Sequence, residues 1–326
     1  MRNLFFTDSL ELEVNVIGYH NQGESIVFFI KADGHAVYTG LVDCYRTKEL
    51  NIVKRVLEKE QTERLDFVCW THPHDDHTIG LDEIWDEFCT EETHFCCTNI
   101  VKAAQDLYSK EAMAVFQNIT DVHKSRKKKK IDITYISDFK KMERLMCVGN
   151  GAKYKFEIFS FAPKSAVLGE RIVNNKEEQG NIYSVGLYLF FGEYSLMLAG
   201  DVENQTLRRI VDEDMEYPVD YIKMPHHGSM SASFLPDKLE KLEIAAPNIA
   251  TTTLYRRYRL PQNEVIDRYY EWGCQEIYTT GNIEDSSSYN NGYGIIRTTF
   301  DILEKNEYIE TELIGDAIPY AKELVE

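Results

Sequence analysis

The chain is 326 residues long, 43% hydrophobic and 28% charged, with 36 basic against 54 acidic side chains and a formal net charge of −18. That composition excludes a fibrous or disordered protein and suits one large or two modest globular domains with a sizeable core. The acidity argues against general wrapping by nucleic acid or adsorption to an anionic membrane, although one basic groove and bound metal ions could offset it locally.

The first third reads as strands, LEVNVIG, SIVFFI and AVYTGLVD, separated by Gly, Asn and Asp turns. A charged helix is expected over about 47–62, with Leu50, Val53 and Leu57 at helical spacing. The buried strand LDFVCW then runs straight into THPHDDH, followed by a helix over about 76–88, the strand THFCCT and a longer helix over about 99–117. HKSRKKKK, residues 123–130, is the only low-complexity stretch and reads as an exposed loop. Beyond it FEIFSF, SVGLYLFF and YSLMLAG are strands, and DVENQTLRRIVDED is a helix. Residues 182–200 are apolar enough to suggest a membrane span, but Glu193 interrupts them and FGEYS reads as the turn of a core hairpin. The remainder alternates: strand DYIKMP, a helix near 231–242, a strand ending in IATTT, a helix over 263–272, and strands QEIYTT and YGIIRTTF. Such an order predicts sheets covered by helices on their outer faces. No linker or internal repeat divides it, so residues 1–326 read as a single domain.

Seven cysteines, Cys44, Cys69, Cys89, Cys96, Cys97, Cys147 and Cys274, are odd in number, form no CxxC pair and fall in apolar runs. Free thiols in a reducing cytoplasm are the expectation. The opening MRNLFFTDSLELEV has only a brief apolar patch, so no signal peptide is expected.

The sharpest feature is His72-Pro73-His74-Asp75-Asp76-His77, an HxHxDH pattern directly after a strand. In an extended or turning segment His72 and His74 point the same way and can grip one cation. The turn into the next helix sends Asp76 and His77 toward a second. Imidazole nitrogen with carboxylate oxygen suits zinc, and manganese or iron are tolerated. Two further strand ends carry ligand-type groups, Leu198-Ala199-Gly200-Asp201 and Lys223-Met224-Pro225-His226-His227-Gly228-Ser229. Alone, such an aspartate is more often an N-cap and such a histidine pair incidental. Three polar groups at three successive strand ends are hard to explain separately, because layered α/β proteins gather their sites there.

HxHxDH, a strand ending in GD and a strand ending in HHGS together resemble the metallo-β-lactamase family, whose fold is a four-layer αββα sandwich. The chain is most similar to the branch that includes the hydrolase domain of bacterial DNA-uptake (competence) channel proteins and the phosphorylcholine esterases. The likeness extends to residues 18–43, with GYHNQGESIVFFI and the close LVDC, to Asn181, Ser184 and LYLFFGEYSLMLAGD, and to LPQNEVIDRYYEWGCQEIYTTG in residues 251–281. A stretch of about 104–153 reads as an insertion. The resemblance implies two divalent ions, zinc or manganese, with His72 and His74 holding one. Asp76, His77 and a histidine of HHGS would hold the other, and Asp201 would bridge them. His227 is favoured over His226, because it stands two positions before Ser229; His226 would then face the substrate. Asp43 is expected to orient a ligand histidine. No third-motif histidine stands between 153 and 184, where Asn181 is found instead, which leaves the His72/His74 ion short of ligands. His94 lies inside a strand and reads as structural.

Such a centre implies hydrolysis by a hydroxide shared between two ions. Asp76 would orient or deprotonate the nucleophile, and His226 and Lys223 would donate to a substrate phosphate. The branch favours a phosphodiester, and so a cytoplasmic phosphodiesterase or nuclease. HKSRKKKK could track a phosphate backbone. Tyr255-Arg256-Arg257-Tyr258-Arg259 interleaves rings with cations as single-strand binders do, which makes Arg256, Arg257 and Arg259 candidate substrate contacts, with Asn181 as another. Both stretches read equally as solvated surface. The alternatives are a hydrolase of small phosphoesters, lactones or thioesters, and a metal-binding regulatory subunit without turnover. A protein partner in a multi-component system rests on the resemblance alone, and no membrane is expected.

Overall fold

The computed structural model describes residues 2–98, 108–124, 130–173, 180–283, 291–304 and 309–320, without the side chains at 123, 124 and 171–173. Strands β1 (Arg2–Phe5), β2 (Leu10–Tyr19), β3 (Glu24–Ala32) and β4 (His35–Val42) come first, and helix α1 (Ile52–Lys59) leads to strand β5 (Phe67–Trp70). Helices α2 (Asp75–Thr78) and α3 (Leu81–Phe88), strand β6 (His94–Thr98) and helix α4 (Lys110–Lys124) follow, then strands β7 (Asp132–Ile136), β8 (Lys140–Gly149) and β9 (Ala152–Ala162). Helix α5 (Ser165–Val173) precedes the hairpin of β10 (Gly186–Phe191) and β11 (Tyr194–Leu198). Helix α6 (Asn204–Leu207), strand β12 (Tyr221–Lys223), helix α7 (Phe234–Lys241), strand β13 (Ile249–Thr252) and helix α8 (Asn263–Trp272) alternate. Strands β14 (Glu276–Thr279), β15 (Tyr293–Asp301), β16 (Ile309–Gly315) and β17 (Ile318–Pro319) come last.

Two sheets form, one in the order β1-β8-β9-β10-β11-β12-β13-β14-β17 and the other β16-β15-β2-β3-β4-β5-β6-β7. Strand alternation explains how they stack. Ile26, Phe28 and Ile30 on one face of β3 meet Phe156, Leu187 and Leu196 of the other sheet in a core between the two. Val27 and Phe29 on the opposite face pack outward against Val53 and Leu57 of α1 and Trp85 of α3. On the far side, Tyr188, Met197 and Ile222 pack against Leu239 of α7 and Val265 and Tyr269 of α8. The result is a four-layer αββα sandwich. Each buried side chain of this kind contributes about 1.5–3 kcal/mol relative to exposure, so three apolar interfaces fix the layer order. No helix among the described residues is long and apolar enough to cross a membrane, and within residues 182–200 strands β10 and β11 form the hairpin that Glu193 predicts, while residues 182 and 183 belong to a 3-10 turn.

Several helices differ from their sequence expectation. The helix expected over 47–62 begins only at Ile52, because Thr47 Oγ1 accepts from Leu50 N in a turn and Asn51 caps the helix by accepting from Lys54 N at 3.1 Å. The helix expected over 76–88 is two helices, parted at Gly80 with φ of 109°. The helix expected over 99–117 runs instead from Lys110 to Lys124, and residues 99–107 lie outside the described residues. DVENQTLRRIVDED holds only α6 and a short 3-10 turn, Asp212–Asp214, because Lys238 Nζ takes the Ile210 carbonyl at 2.8 Å where the helix would continue. The segment read as an insertion supplies α4, β7 and β8, and so adds strands to both sheets. Of HKSRKKKK, Lys130 is exposed, while residues 125–129 and the side chains of His123 and Lys124 lie outside the described residues.

Candidate metal centre

The centre lies where parallel strands of both sheets end. Strands β4 and β5 run parallel in one sheet, and β11, β12 and β13 in the other. Their carboxyl ends deliver Asp43, Thr71 and His72, Asp201, His226 and His227, and Thr253 to one end of the sandwich. The chain bends sharply to do so. Asp43, His226 and His227 have φ of 57°, 47° and 52°, a left-handed region that costs a non-glycine residue energy and recurs at functional sites. Before Asp201 the same bend is made by Gly200, φ +51°, where a Cβ would lie 2.6 Å from the Val185 carbonyl oxygen. Ser184 Oγ accepts from Asp201 N at 2.8 Å, and His226 N donates to Gly200 O at 2.8 Å.

Two groups of side chains meet there. Asp76, His77, Asp201 and His227 offer ligand atoms within 4.8 Å of one another, and His72, His74 and Asp201 form a second such group. His77 Nε2 lies 3.6 Å from Asp76 Oδ2 and 3.3 Å from Asp201 Oδ1. His227 Nε2 lies 3.3 Å from Asp76 Oδ2 and 3.7 Å from Asp201 Oδ1. On the other side His72 Nε2 is 3.6 Å from Asp201 Oδ2 and 3.1 Å from His74 Nδ1. The two oxygens of Asp201 therefore face different groups. His77 Nε2 and Asp201 Oδ1 are buried without a hydrogen-bond partner among the described residues. Unsatisfied atoms of this kind are costly, and a divalent cation among these nitrogens and oxygens would satisfy both. The donor set fits zinc or manganese.

Behind three of the histidines an oxygen fixes which ring nitrogen faces inward. Asp43 Oδ2 is 2.7 Å from His77 Nδ1, and the Asp43 carboxylate also accepts from Thr71 N at 2.7 Å and Thr71 Oγ1 at 2.6 Å. His72 Nδ1 is 2.9 Å from Thr71 Oγ1. His227 Nδ1 is 2.6 Å from Thr253 Oγ1 and 3.2 Å from Glu24 Oε2. Glu24 accepts from Thr253 Oγ1 at 2.8 Å and pairs with Lys223. Glu24, Thr71 and Thr253 have no part in the sequence reading. The available signal was a lone carboxylate at the head of the apolar run SIVFFI and a lone lysine in the strand YIK, two opposite charges that burial would force together.

Burial opposes charge throughout, and the neighbours decide the outcome. Desolvation, helped by the neighbouring histidines, holds His72 well below its ordinary 6.5. Desolvation also lowers His74, against Asp76 and Asp201. It opposes charge on His77 and His227 too, yet Asp201 and the other carboxylates outweigh it, lifting His77 well above 6.5 and His227 to about 9. Burial would raise Asp76 and Asp201, but His77 and His227 hold both below the usual carboxylate range. Asp43 is raised, burial prevailing over His77 and Thr71. Without a metal, protonated His77 and His227 supply the positive charge that a bound ion would take over.

The centre opens into a cleft of about 640 Å³, bordered by His74, Asp76, Asn181, Asp201, His226 and Tyr255, a volume usual for small-molecule sites. His226 is 23% exposed, with Nε2 3.7 Å from Asp201 Oδ2 and Nδ1 3.3 Å from Glu203 Oε1 and 2.9 Å from Ser231 Oγ. Asn181 Nδ2 donates to Glu203 Oε1 at 3.2 Å, and its Oδ1 is buried without a partner among the described residues. Lys223, expected to reach a substrate phosphate, does not: it is fully buried, because Glu24 draws its ammonium inward. Arg257 borders the cleft, whereas Arg256 and Arg259 do not. Residues 256–258 form a 3-10 turn, in which consecutive side chains point about 120° apart, so that the three do not all face the cleft. His94 lies outside both groups, with Nδ1 2.5 Å from Glu143 Oε1 and Nε2 2.8 Å from Thr134 Oγ1.

No known family model matches the chain. It is similar to the uncharacterized protein YcaI of Escherichia coli strain K12, at 29% identity over 108 residues that make up 33% of this chain and only 14% of YcaI. Among solved structures it is similar to a mutant of CmlA β-hydroxylase, with 14% identity and a TM-score of 0.46; the match covers 88% of this chain and 54% of CmlA. It is also similar to the metallo-β-lactamase fold protein YhfI of Bacillus subtilis, with 12% identity and a TM-score of 0.40, over 74% of this chain and 85% of YhfI.

Proposed function

We propose that this chain is a metal-dependent hydrolase of the metallo-β-lactamase fold that cleaves phosphodiesters, nucleic acid among them. The observation that carries the reading is Asp201, whose two oxygens face two separate groups of imidazole and carboxylate donors. In this reading His72, His74 and Asp201 hold one ion, and Asp76, His77, His227 and Asp201 hold the other. Divalent ions held there would supply a water activated near neutral pH and would neutralise charge on the phosphate's non-bridging oxygens. Asp76, at the cleft wall, would orient the attacking water and accept its proton. Glu203 and Ser231 engage Nδ1 of His226, and its Nε2, 3.3 Å from Asn181 Nδ2, would exchange that contact to donate to a phosphate oxygen. Asn181, held through its Nδ2 by Glu203, contributes a second polar contact from the same wall. Asp43, Thr71, Glu24 and Thr253 keep the ligand rings turned inward.

The test is hydrolysis of methyl p-nitrophenyl phosphate and of DNA and RNA by purified protein with Mn²⁺ or Zn²⁺. Asp76→Ala and His74→Ala should each cost more than the roughly 10–100-fold typical of losing a mere supporting partner. Turnover of lactones or thioesters alone would move the chain to another hydrolase class. Stoichiometric metal binding with no turnover of any of these would make it a regulatory subunit.

A further inference from the structure

We infer that the loop bearing Tyr255, Arg257 and Tyr258 is a subsite for one unpaired nucleobase, so that the preferred substrate is single-stranded nucleic acid rather than duplex; this rests on the phosphodiesterase reading. The loop is fixed, not floppy. Tyr255 N donates to Leu260 O at 3.0 Å, Leu260 N to Tyr255 O at 3.1 Å, and Tyr258 N to Tyr255 O at 3.1 Å. Its inner ring is anchored as well, because Tyr255 Oη donates to Gln22 Oε1 at 3.3 Å. A ladder of rings leads from the metal centre to the mouth of the cleft. Tyr255 stands at 85° to the His227 ring with centroids 5.2 Å apart, and Tyr258 follows at 5.0 Å. Tyr255 is buried, whereas Tyr258 is 58% exposed.

A large exposed aromatic ring beside a polar reaction centre invites a flat partner. A nucleobase is separated from its own phosphate by one sugar, so a diester engaged at the centre would carry its base outward along the rings that lead to the rim. Base–aromatic stacking tolerates any sequence but needs an accessible base face, which a duplex does not offer. The competing occupant is a quaternary ammonium, which aromatic rings also attract. Arg257 argues against it, since its guanidinium carbon lies 5.4 Å from the Tyr258 ring centroid and would repel a second cation. The same guanidinium stacks well on a base or pairs with a neighbouring phosphate.

Two substrates with one leaving group make the test, thymidine 5′-(p-nitrophenyl) phosphate and methyl p-nitrophenyl phosphate. Tyr258→Ala should lower kcat/KM for the thymidine diester by about 5- to 100-fold and leave the methyl diester within about 2-fold. Tyr258→Phe should behave as wild type with both. In a second readout, a 2-aminopurine base in a single-stranded oligonucleotide should lose fluorescence on Asp76→Ala protein, and the same base in a duplex should not. If both diesters are cleaved and Tyr258→Ala affects neither or both alike, the subsite is wrong and the phosphodiesterase reading stands. If neither diester is cleaved, that reading fails, and the quenching measurement alone decides whether the loop takes a base. Inhibition by choline but not thymidine, lost in Tyr258→Ala, would overturn the subsite in favour of a quaternary ammonium.

Discussion

Lys223 and Glu24 sit sealed from water behind His227, each almost fully buried. Their pairing explains how a lysine can lie in a strand core at all, since an isolated buried ammonium would be far too costly. Glu24 is the more consequential partner. Burial raises its pKa, yet Lys223 and His227 more than offset that and hold it at about 2. The carboxylate therefore stays charged and can fix the His227 ring through Nδ1. Lys223→Met should leave Glu24 charged without its ammonium partner, and destabilise the protein by up to about 3–5 kcal/mol in denaturant unfolding. The double change of Glu24→Gln with Lys223→Met should cost distinctly less. Were Lys223 instead a phosphate contact, the single change would depress kcat/KM at unchanged stability. These two residues also show where sequence reasoning ran out. HxHxDH is legible because its members are neighbours, whereas Glu24 and Lys223 are separated by most of the chain, and each alone resembles a solvated strand charge.

Elements were legible in proportion to how local their causes are. Helix α8, Asn263–Trp272, lies where its pattern puts it, because Gly273 ends it in the left-handed region and donates back to Tyr269 O and Tyr270 O. The helix expected after Asp201 fails for a tertiary reason, the Lys238 ammonium on the Ile210 carbonyl. Strands β7 and β8 were missed since their mixed polar runs acquire meaning only through partners in two different sheets. The strand ends were readable as site positions, but not the backbone that makes them work. Gly200 is the clearest case. At φ +51°, with Val185 O 2.6 Å and Ser184 Oγ 2.8 Å from the place of a Cβ, Gly200→Ala must either strain the turn or displace Asp201. The expected cost is about 1–3 kcal/mol, together with loss of one or both bound ions. Metal analysis of the purified variant checks this; full metal content at wild-type stability would show that the turn yields freely.

At the scale of the whole molecule, an acidic sandwich gathers four buried carboxylates, Glu24, Asp43, Asp76 and Asp201, at one end of its strands. The fold holds them there only if positive charge is present, and the source of that charge sets the pH response. In the metal-free protein it comes partly from His77 and His227, whose folded-state values lie above their ordinary 6.5, His227 at about 9. Between those limits the native state binds protons that the unfolded chain has released, so stability falls as pH rises. This contribution is whole below about pH 6.5 and fades as pH climbs through about 9. Metal ions reverse the dependence, because they bind deprotonated imidazole and displace those protons, and their affinity rises with pH. The melting temperature of chelator-treated protein should therefore decline from pH 6.5 to 9, and the gap to zinc-loaded protein should widen across the same interval. Melting curves that ran parallel with and without zinc would mean that these histidines and carboxylates do not share a cation, and the two-ion reading would go with them.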